Sequence, residues 1–171
     1  ADRTPPFKVV LGQVMSKGDR MDYAIQKATE LGVTTIQLLT SERCEMRLRY
    51  ERDQKKLDHW QSIAIAACEQ CGMNKVPNVL TPISLTDWVK SEQLPQSRFV
   101  LAPNKDQENV VLNSQPDLAL LIGPEGGLSE AEIDAANQNH FQNWCIGDRV
   151  LRTETAPVVA LSILNYHFST K

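Results

Sequence analysis

The chain has 171 residues, of which 42% are hydrophobic and 23% are charged, and its formal net charge is −3. This length and balance are typical of one soluble globular domain with its own core. The negative charge argues against a protein that coats nucleic acid, although it leaves room for a local basic patch. No apolar run approaches the roughly 20 residues of a membrane helix, and the polar start is unlike a signal peptide. We therefore expect a cytoplasmic protein without a membrane partner.

The first half of the chain alternates strand patterns with helical patterns. Asp19 is predicted to cap the first helix, because Asp22 follows three residues later. Gly32 is the expected left-handed end of that helix. The predicted elements are a strand over 9–15, a helix from 19 to 31, a strand over 34–39 and a long helix over 57–71 that ends at Gly72.

The second half continues the alternation. Ser84 opens a short predicted helix, and Ser129 with Glu132 forms a capping box for another. The predicted strands cover 98–101, 118–122 and 143–146, with an extended segment over 76–82, and the last helix covers 154–168. The continuous apolar run at 118–122 is typical of a strand buried on both faces. Together the elements predict an α/β fold with a mainly parallel sheet, whose ligands bind beyond the carboxyl ends of strands.

The last helix is apolar around nearly its whole circumference. A helix of this kind is buried on all sides, and a chain this small offers one core, so we expect a second subunit in a C2 homodimer. The alternative is a helix covered by a surface loop. The apolar positions are Val158, Val159, Leu161, Ile163, Leu164, Tyr166 and Phe168.

The four cysteines are interpreted as reduced thiols that pack in the fold. Cys68 and Cys71 have CxxC spacing, but they end a long helical pattern instead of opening a helix, where the dipole would lower a thiol pKa. A zinc site needs a second pair of ligands, which Cys44 and Cys145 do not form. The sequence therefore predicts neither a redox motif nor a metal site.

A glycine-rich segment, "LLIGPEGGLSEAEI", follows a predicted strand and leads into a predicted helix. It lacks the lysine of a phosphate-binding P-loop, and its glycine spacing does not fit a dinucleotide loop. Two interpretations remain. The glycines and Pro124 form a backbone cradle for an adenosine-type ligand, or they form a plain strand-to-helix turn.

A second segment, "GDRVLRTETA", precedes the apolar helix. Thr153 or Thr155 is expected to cap that helix, and Glu154 suits its positive end. Arg152 is unexplained by this role, because a cation is unfavourable at a helix N-terminus. A residue placed against its local electrostatics is a candidate for function.

Taken together, these two segments resemble the family of 16S ribosomal RNA uridine N3-methyltransferases, in the SPOUT superfamily. Three upstream segments, "IQKATELGV", "SERC" and "IAACEQCG", are similar to the family as well, and the resemblance covers nearly the whole chain in order. It implies a SPOUT-type α/β fold with a C-terminal deep trefoil knot, a homodimer, and S-adenosylmethionine bound in bent form in the knot loops. The implied partner is 16S rRNA or the small ribosomal subunit.

Site residues are carried over by position from the family motifs. Glu125 and Arg152 match polar positions of these motifs. Because methylation at N3 develops negative charge on the uracil oxygens, Arg152 is the candidate for stabilising that charge. Glu154 is the candidate base, although a helix cap explains it equally well. The sulfonium methyl is itself the electrophile, so no metal is expected. The implied cofactor-binding residues are Leu101, Ala102, Ile122, Gly123, Pro124, Glu125, Gly126, Gly127, Ile146, Gly147, Leu151, Arg152 and Thr153.

RNA contacts and domain organisation follow from the same resemblance. Arg43, inside "SERC", is the expected RNA contact, and Lys75 is the nearest cation to a position where the family often has arginine. Residues 1–171 are interpreted as the SPOUT domain, with 1–8 as a linker remnant and a PUA-like RNA-binding domain missing from the N-terminal side. Two alternatives stay open: a SPOUT enzyme acting on another base, and a non-catalytic RNA-binding or ribosome-assembly module.

Overall fold

The computed structural model describes residues 7–44, 50–73, 75–102, 117–146 and 152–169. Within these ranges six strands form one sheet with five helices on its faces. The strands are β1 (Val9–Val14), β2 (Thr35–Thr40), β3 (Asn78–Ser84), β4 (Ser97–Leu101), β5 (Leu118–Ile122) and β6 (Phe141–Trp144). The helices are α1 (Asp19–Glu30), α2 (Tyr50–Cys71), α3 (Leu85–Val89), α4 (Glu130–Gln138) and α5 (Ala156–Ser169).

The sheet has the order β3-β2-β1-β5-β4-β6, and every neighbouring pair is parallel. This confirms the predicted mainly parallel α/β fold. All strands therefore end at one side of the sheet, which we call the carboxyl edge. From β1 the chain adds β2 and β3 on one side of the sheet. It then crosses over and forms β4, β5 and β6 on the other side of β1, so the direction in which strands are added reverses at the centre. The carboxyl ends of β1 and β5 lie at that reversal, where parallel sheets bind ligands.

Two apolar layers cover the sheet, because successive side chains on a strand point to opposite faces. Leu11 and Leu120 pack with α1, α2 and α5, whereas Val14 and Leu121 pack with α3 and α4. Every residue of β5 is buried, as predicted. The central strands are therefore fixed from both sides, and their carboxyl ends form a rigid support for the loops that follow.

Gly12, in the middle of β1, allows α3 to lie directly on the sheet. A Cβ at this position would come within 2.4–2.9 Å of three ring carbons of Trp88. The indole is buried at 3% exposure, so it has no room to move away. The missing side chain at 12 is thus part of how the second layer packs.

The start of α1 differs from its prediction. Gly18, and not Asp19, occupies the cap position, with φ 66° and no side-chain hydrogen bond. Asp19 is instead the first helical residue, where its negative charge suits the positive end of the helix. The predicted left-handed end is confirmed, since Gly32 has φ 88°.

Later elements also begin at other residues than predicted. Helix α2 starts at Tyr50 instead of residue 57 and β3 at Asn78 instead of residue 76, while β2 and β4 differ by one residue each. β6 starts at Phe141, two residues earlier than expected, because Phe141 pairs with Arg98 at the start of the register with β4. α5 starts at Ala156 instead of residue 154, because residues 152–155 form a turn. The amides of Thr155 and Ala156 both donate to the carbonyl of Arg152, at 3.0 and 2.9 Å.

Helix α5 is buried on one side only within the single chain. Leu161 and Leu164 are fully buried, and the Asn165 amide donates to the carbonyl of Leu31 at 2.7 Å. Ile163 and Tyr166 remain 39% and 76% exposed. The prediction of burial on all sides is therefore not met by one chain. None of the described helices combines the length and apolar character needed to cross a bilayer.

Strand β3 lies at one edge of the sheet and pairs irregularly with β2. Its register with β2 shifts between Gln37 and Leu39. The strand also contains Pro82, which has no backbone N–H to donate. The side chain of Gln37 donates to the carbonyl of Thr81 at 2.8 Å and holds the irregular stretch in place.

Candidate functional site

Three of the predicted cofactor segments meet at the carboxyl edge. The glycine loop, residues 123–127, follows Ile122 at the end of β5. Leu101 and Ala102 follow the neighbouring strand β4, and the amide of Ala102 donates to the carbonyl of Trp144 at 3.2 Å. Ile146 lies two residues after Trp144, the last residue of β6. The predicted cofactor residues Gly147 and Leu151 lie outside the described residues.

The glycine loop is a tight turn whose geometry explains two of its glycines, Gly123 and Gly127. The amide of Gly127 donates to the carbonyl of Pro124 at 2.9 Å, and Gly127 has φ 77°, which a residue with a Cβ rarely adopts. A Cβ at Gly123 would lie 2.8 Å from Cγ of Leu128. The turn therefore requires glycine at 123 and 127 even without a ligand.

Gly126 has no such reason. It is absent from the described glycines with positive φ, and the nearest atom to an added Cβ is Cβ of Arg43 at 3.6 Å, an ordinary contact. The fold would therefore accept alanine at this position. Neither a positive φ nor a steric clash therefore explains the glycine at 126.

The turn at 152–155 is joined to the glycine loop by one buried hydroxyl. Thr153 Oγ1 donates to the carbonyl of Gly123 at 2.9 Å and accepts from Nε2 of Gln13 at 3.3 Å. The hydroxyl thus bonds the glycine loop. Of the two predicted caps of α5, Thr153 or Thr155, only Thr155 directly precedes the helix. Gln13, at 1% exposure, was missed from the sequence. The only signal was a polar residue in an otherwise apolar strand.

The two predicted catalytic residues flank Thr153. Arg152 is exposed and Glu154 is partly buried. Among the described residues, one carboxylate oxygen of Glu154, Oε2, is buried without a hydrogen-bond partner, and so is Oε1 of Gln13. A buried acceptor left unpaired is costly, so each one calls for an explanation such as a catalytic role or a bound water or ion. The 152–155 turn and the neighbouring end of β1 thus each carry one acceptor that the described residues do not satisfy.

An ion pair links the glycine loop to helix α1. Arg20 Nη1 contacts Oε1 of Glu125, and both side chains are partly exposed. Together with Met15, Ser16 and Pro124 they line a small cleft between the carboxyl ends of β1 and β5. An exposed pair contributes little to stability, but the contact places the Glu125 carboxylate beside the first turn of α1. No sequence motif marks Arg20.

The two predicted RNA-binding residues lie at opposite ends of the strands, Arg43 beyond a carboxyl end and Lys75 before an amino end. Arg43, in the turn after β2, donates from Nη1 to the carbonyl of Gly126 at 3.0 Å. Lys75 is exposed before the start of β3, whose seven residues span about 20 Å. The structure therefore brings Arg43 to the glycine loop and leaves Lys75 far from it.

A family model described as an RNA methyltransferase domain matches residues 3–165. The chain belongs to this family. A curated relative, ribosomal RNA small subunit methyltransferase E of Buchnera aphidicola subsp. Schizaphis graminum, is 38% identical over 95% of this chain and 67% of its own length.

Two solved structures resemble this RNA methyltransferase domain. One is a putative methyltransferase from Legionella pneumophila in complex with bound SAM, with TM-score 0.90, 40% identity, 96% of this chain covered and 68% of the other. The other is ribosomal RNA small subunit methyltransferase E from Neisseria gonorrhoeae bound to S-adenosyl methionine, with TM-score 0.88, 37% identity and the same coverages, 96% and 68%. The chain spans about two thirds of the length of these three relatives.

Two cysteines of the RNA methyltransferase domain, Cys68 and Cys71, lie in the last turn of α2. Burial raises the pKa of the Cys68 thiol, and the charges of Cys71 and Glu69 act in the same direction. The Cys68 thiol donates to the carbonyl of Met73 at 3.4 Å. A protonated thiol is a poor nucleophile, which supports the packing interpretation. In the described ranges, no three His, Cys, Asp or Glu side chains cluster as metal ligands would.

Proposed function

We propose that this RNA methyltransferase domain transfers a methyl group from S-adenosylmethionine to N3 of a uridine in the 16S rRNA of the small ribosomal subunit. The observation that carries the proposal is the hydrogen bond from Thr153 to Gly123. It joins the two segments that resemble the uridine N3-methyltransferases, in a chain 40% and 37% identical to structures with bound S-adenosylmethionine.

The proposed cofactor site is the carboxyl edge around the glycine loop. The bare Cα of Gly126 would let the ligand approach the loop backbone, and Thr153 fixes the adjacent turn. Gly147 and Leu151 belong to the proposal by position in the motif alone. The residues proposed to hold the cofactor are Leu101, Ala102, Ile122, Gly123, Pro124, Glu125, Gly126, Gly127, Ile146, Gly147, Leu151, Arg152 and Thr153.

The chemistry proposed for the 152–155 turn concerns the uracil. S-adenosylmethionine, when bound, supplies an electrophilic methyl group. N3 of uridine carries a proton and is a poor nucleophile until that proton leaves, so a base must assist. Glu154 is the proposed acceptor of the N3 proton, and its buried oxygen without a partner supports this role. Arg152 is proposed to stabilise the negative charge that then develops on the uracil oxygens.

The RNA contacts are proposed at two places. The target uridine must leave its stack to reach the turn, and Arg43 lies beside the glycine loop to contact the RNA there. Lys75 is proposed to contact a more distant part of the RNA, because it precedes the opposite end of the sheet. Phosphate contacts of this kind make binding weaken as salt rises.

The larger architecture is also a proposal. We propose a deep trefoil knot in the C-terminal part and a homodimer formed through α5, supported by the exposed Ile163 and Tyr166. A PUA-like domain is proposed to precede this one in the whole protein, with residues 1–8 as linker. Part of each relative's length lies outside the matched region, which leaves room for it. The site of action is proposed to be the cytoplasm.

The proposed reaction predicts the loss of one modified nucleoside. Ribosomal RNA from a strain lacking the protein is expected to lack N3-methyluridine at one 16S position, and expression of the protein should restore it. Mass spectrometry of nuclease fragments makes the measurement, and calorimetry with S-adenosylmethionine tests cofactor binding. Loss of a different methylated base would favour another-base activity. Unchanged rRNA with no cofactor binding would favour the non-catalytic module.

Gly126→Ala is expected to weaken S-adenosylmethionine binding about tenfold or more, roughly the loss of one good contact, without lowering the melting temperature. A Cβ at 126 would make only an ordinary contact with Arg43, 3.6 Å from its Cβ, but it would keep a ligand away from the backbone. Calorimetry and thermal denaturation measure the two effects. Gly123→Ala is the contrasting variant, because its Cβ would meet Leu128 and should lower stability as well. Unchanged affinity in Gly126→Ala would show that the ligand does not approach the loop there.

A further inference from the structure

Glu132, in the first turn of α4, is a buried carboxylate that serves two separate segments. It is 3% exposed. Its Oε1 accepts the amide of Ser129 at 3.0 Å, which is one half of the capping box predicted from the sequence. Its Oε2 accepts the amide of Glu42 at 3.1 Å. The second contact ties the turn after β2 to the start of α4, and no role in the proposed reaction accounts for it.

The turn held by Glu132 carries the arginine that contacts the glycine loop. Arg43 follows Glu42 directly and donates to the carbonyl of Gly126 at 3.0 Å. On its other side, the thiol of Cys44 donates to the carbonyl of Met15 at 3.4 Å, at the end of β1. The glycine loop leads back through Ser129 into α4. The contacts therefore close a ring that runs from α4 to the turn, from the turn to the loop, and from the loop to α4.

Capping alone does not require an acid at 132. Glutamine at this position forms the same box, because one carbonyl oxygen is enough to accept the Ser129 amide. The second oxygen is what distinguishes the two residues. A carboxylate accepts at both oxygens, whereas glutamine would present an N–H donor to the N–H of Glu42. The acid at 132 is therefore explained by the contact to Glu42 and not by the helix.

We propose that Glu132 is a positioning residue for the glycine loop. By holding the Glu42 amide it fixes Arg43 against Gly126, and so it sets the affinity of the loop for the methyl donor. This inference rests on the proposed function, because it takes residues 123–127 as part of the cofactor site.

Glu132→Gln separates the two roles of the carboxylate, since it keeps the capping box and breaks the contact to Glu42. The Kd for S-adenosylmethionine, measured by calorimetry, is expected to rise about tenfold, as for loss of a hydrogen bond to a charged group. KM for the cofactor should rise with it, while kcat at saturation changes little. Without cofactor, hydrogen exchange should become faster at the Glu42 amide, which loses its acceptor, and at the Gly127 amide, which closes the glycine loop on Pro124.

Ser129→Ala is the matched control. It removes the hydrogen bond from the Glu132 amide to the Ser129 hydroxyl and leaves Oε2 of Glu132 bonded to the Glu42 amide. It is expected to lower the melting temperature by about 2–4 °C while leaving the Kd and the exchange at Glu42 unchanged. Arg43→Ala should raise the Kd as Glu132→Gln does. The Kd of the double variant should not exceed the higher of the two single-variant values, because both changes remove the same support.

Two results would overturn the role of Glu132: unchanged Kd in Glu132→Gln, or an equal rise in Kd in Ser129→Ala. Failure of the proposed function gives a different pattern. If the wild-type chain binds no S-adenosylmethionine, the cofactor role of Glu132 falls together with that function. Faster exchange at the Glu42 and Gly127 amides in Glu132→Gln alone would then show that the mechanical link exists without that ligand.

Discussion

Arg152→Ala is expected to lower methylation of the ribosomal substrate by about 100-fold or more, the usual effect of removing one preorganised electrostatic donor. The arginine lies exposed at the start of the 152–155 turn, next to the threonine that bonds Gly123. Because its side chain is exposed, truncation leaves the core intact and the chain should stay folded. Single-turnover methylation at saturating cofactor isolates the transfer step from binding, and calorimetry reports any change in cofactor affinity.

Two companion variants sharpen the Arg152 experiment. Arg152→Lys keeps the charge but loses the planar fork of donors, so its rate should fall between wild type and Arg152→Ala. Lys90→Ala removes an exposed cation outside the site and should leave the rate unchanged. A near-normal rate in Arg152→Ala, with a folded chain, would refute the assigned role.

Gly12→Ala is expected to lower the free energy of unfolding by about 2–3 kcal/mol, the range for forcing an extra carbon into a packed core. The added Cβ would lie 2.4–2.9 Å from ring carbons of the buried Trp88, so α3 must move off the sheet. For a chain of this size, that loss lowers the melting temperature by roughly 5–10 °C. Denaturant unfolding and thermal scans measure the two quantities.

The matched control for Gly12 is Gly126→Ala, the same chemical change where the added Cβ has space. It should leave the free energy of unfolding unchanged. Trp88→Leu in the Gly12→Ala background should recover part of the loss, because the two changes meet at one contact and are not additive. Strictly additive effects would show that the Cβ and the indole do not collide.

The elements that the sequence predicts well are those whose signals are local. The apolar run of β5 and the capping box of Ser129 and Glu132 are found as predicted, because each depends on a few adjacent residues. The sequence predicts the start of α5 two residues before the observed one, at 154 instead of Ala156. There the carbonyl of Arg152 closes a turn first, and Thr153 bonds a distant carbonyl instead of the helix.

The candidate site divides along the same line. The glycine loop and the 152–155 turn carry their chemistry in short segments, so the sequence indicates both. Gln13 is separated from its partner Thr153 by 140 positions, and Glu132 is separated from Glu42 by 90. Which distant groups meet depends on the strand order of the folded sheet. The pairing of Arg20 with Glu125 depends on it in the same way.

The irregular outer strand has a consequence for how molecules of this protein meet at high concentration. Pro82 lacks an N–H, and the register with β2 breaks between Gln37 and Leu39. A regular exposed edge is a template on which another chain adds a strand, which leads to aggregation. The proline and the break make this edge a poor template. Dimerisation through the side chains of α5, as proposed above, then competes less with edge-to-edge strand pairing between molecules.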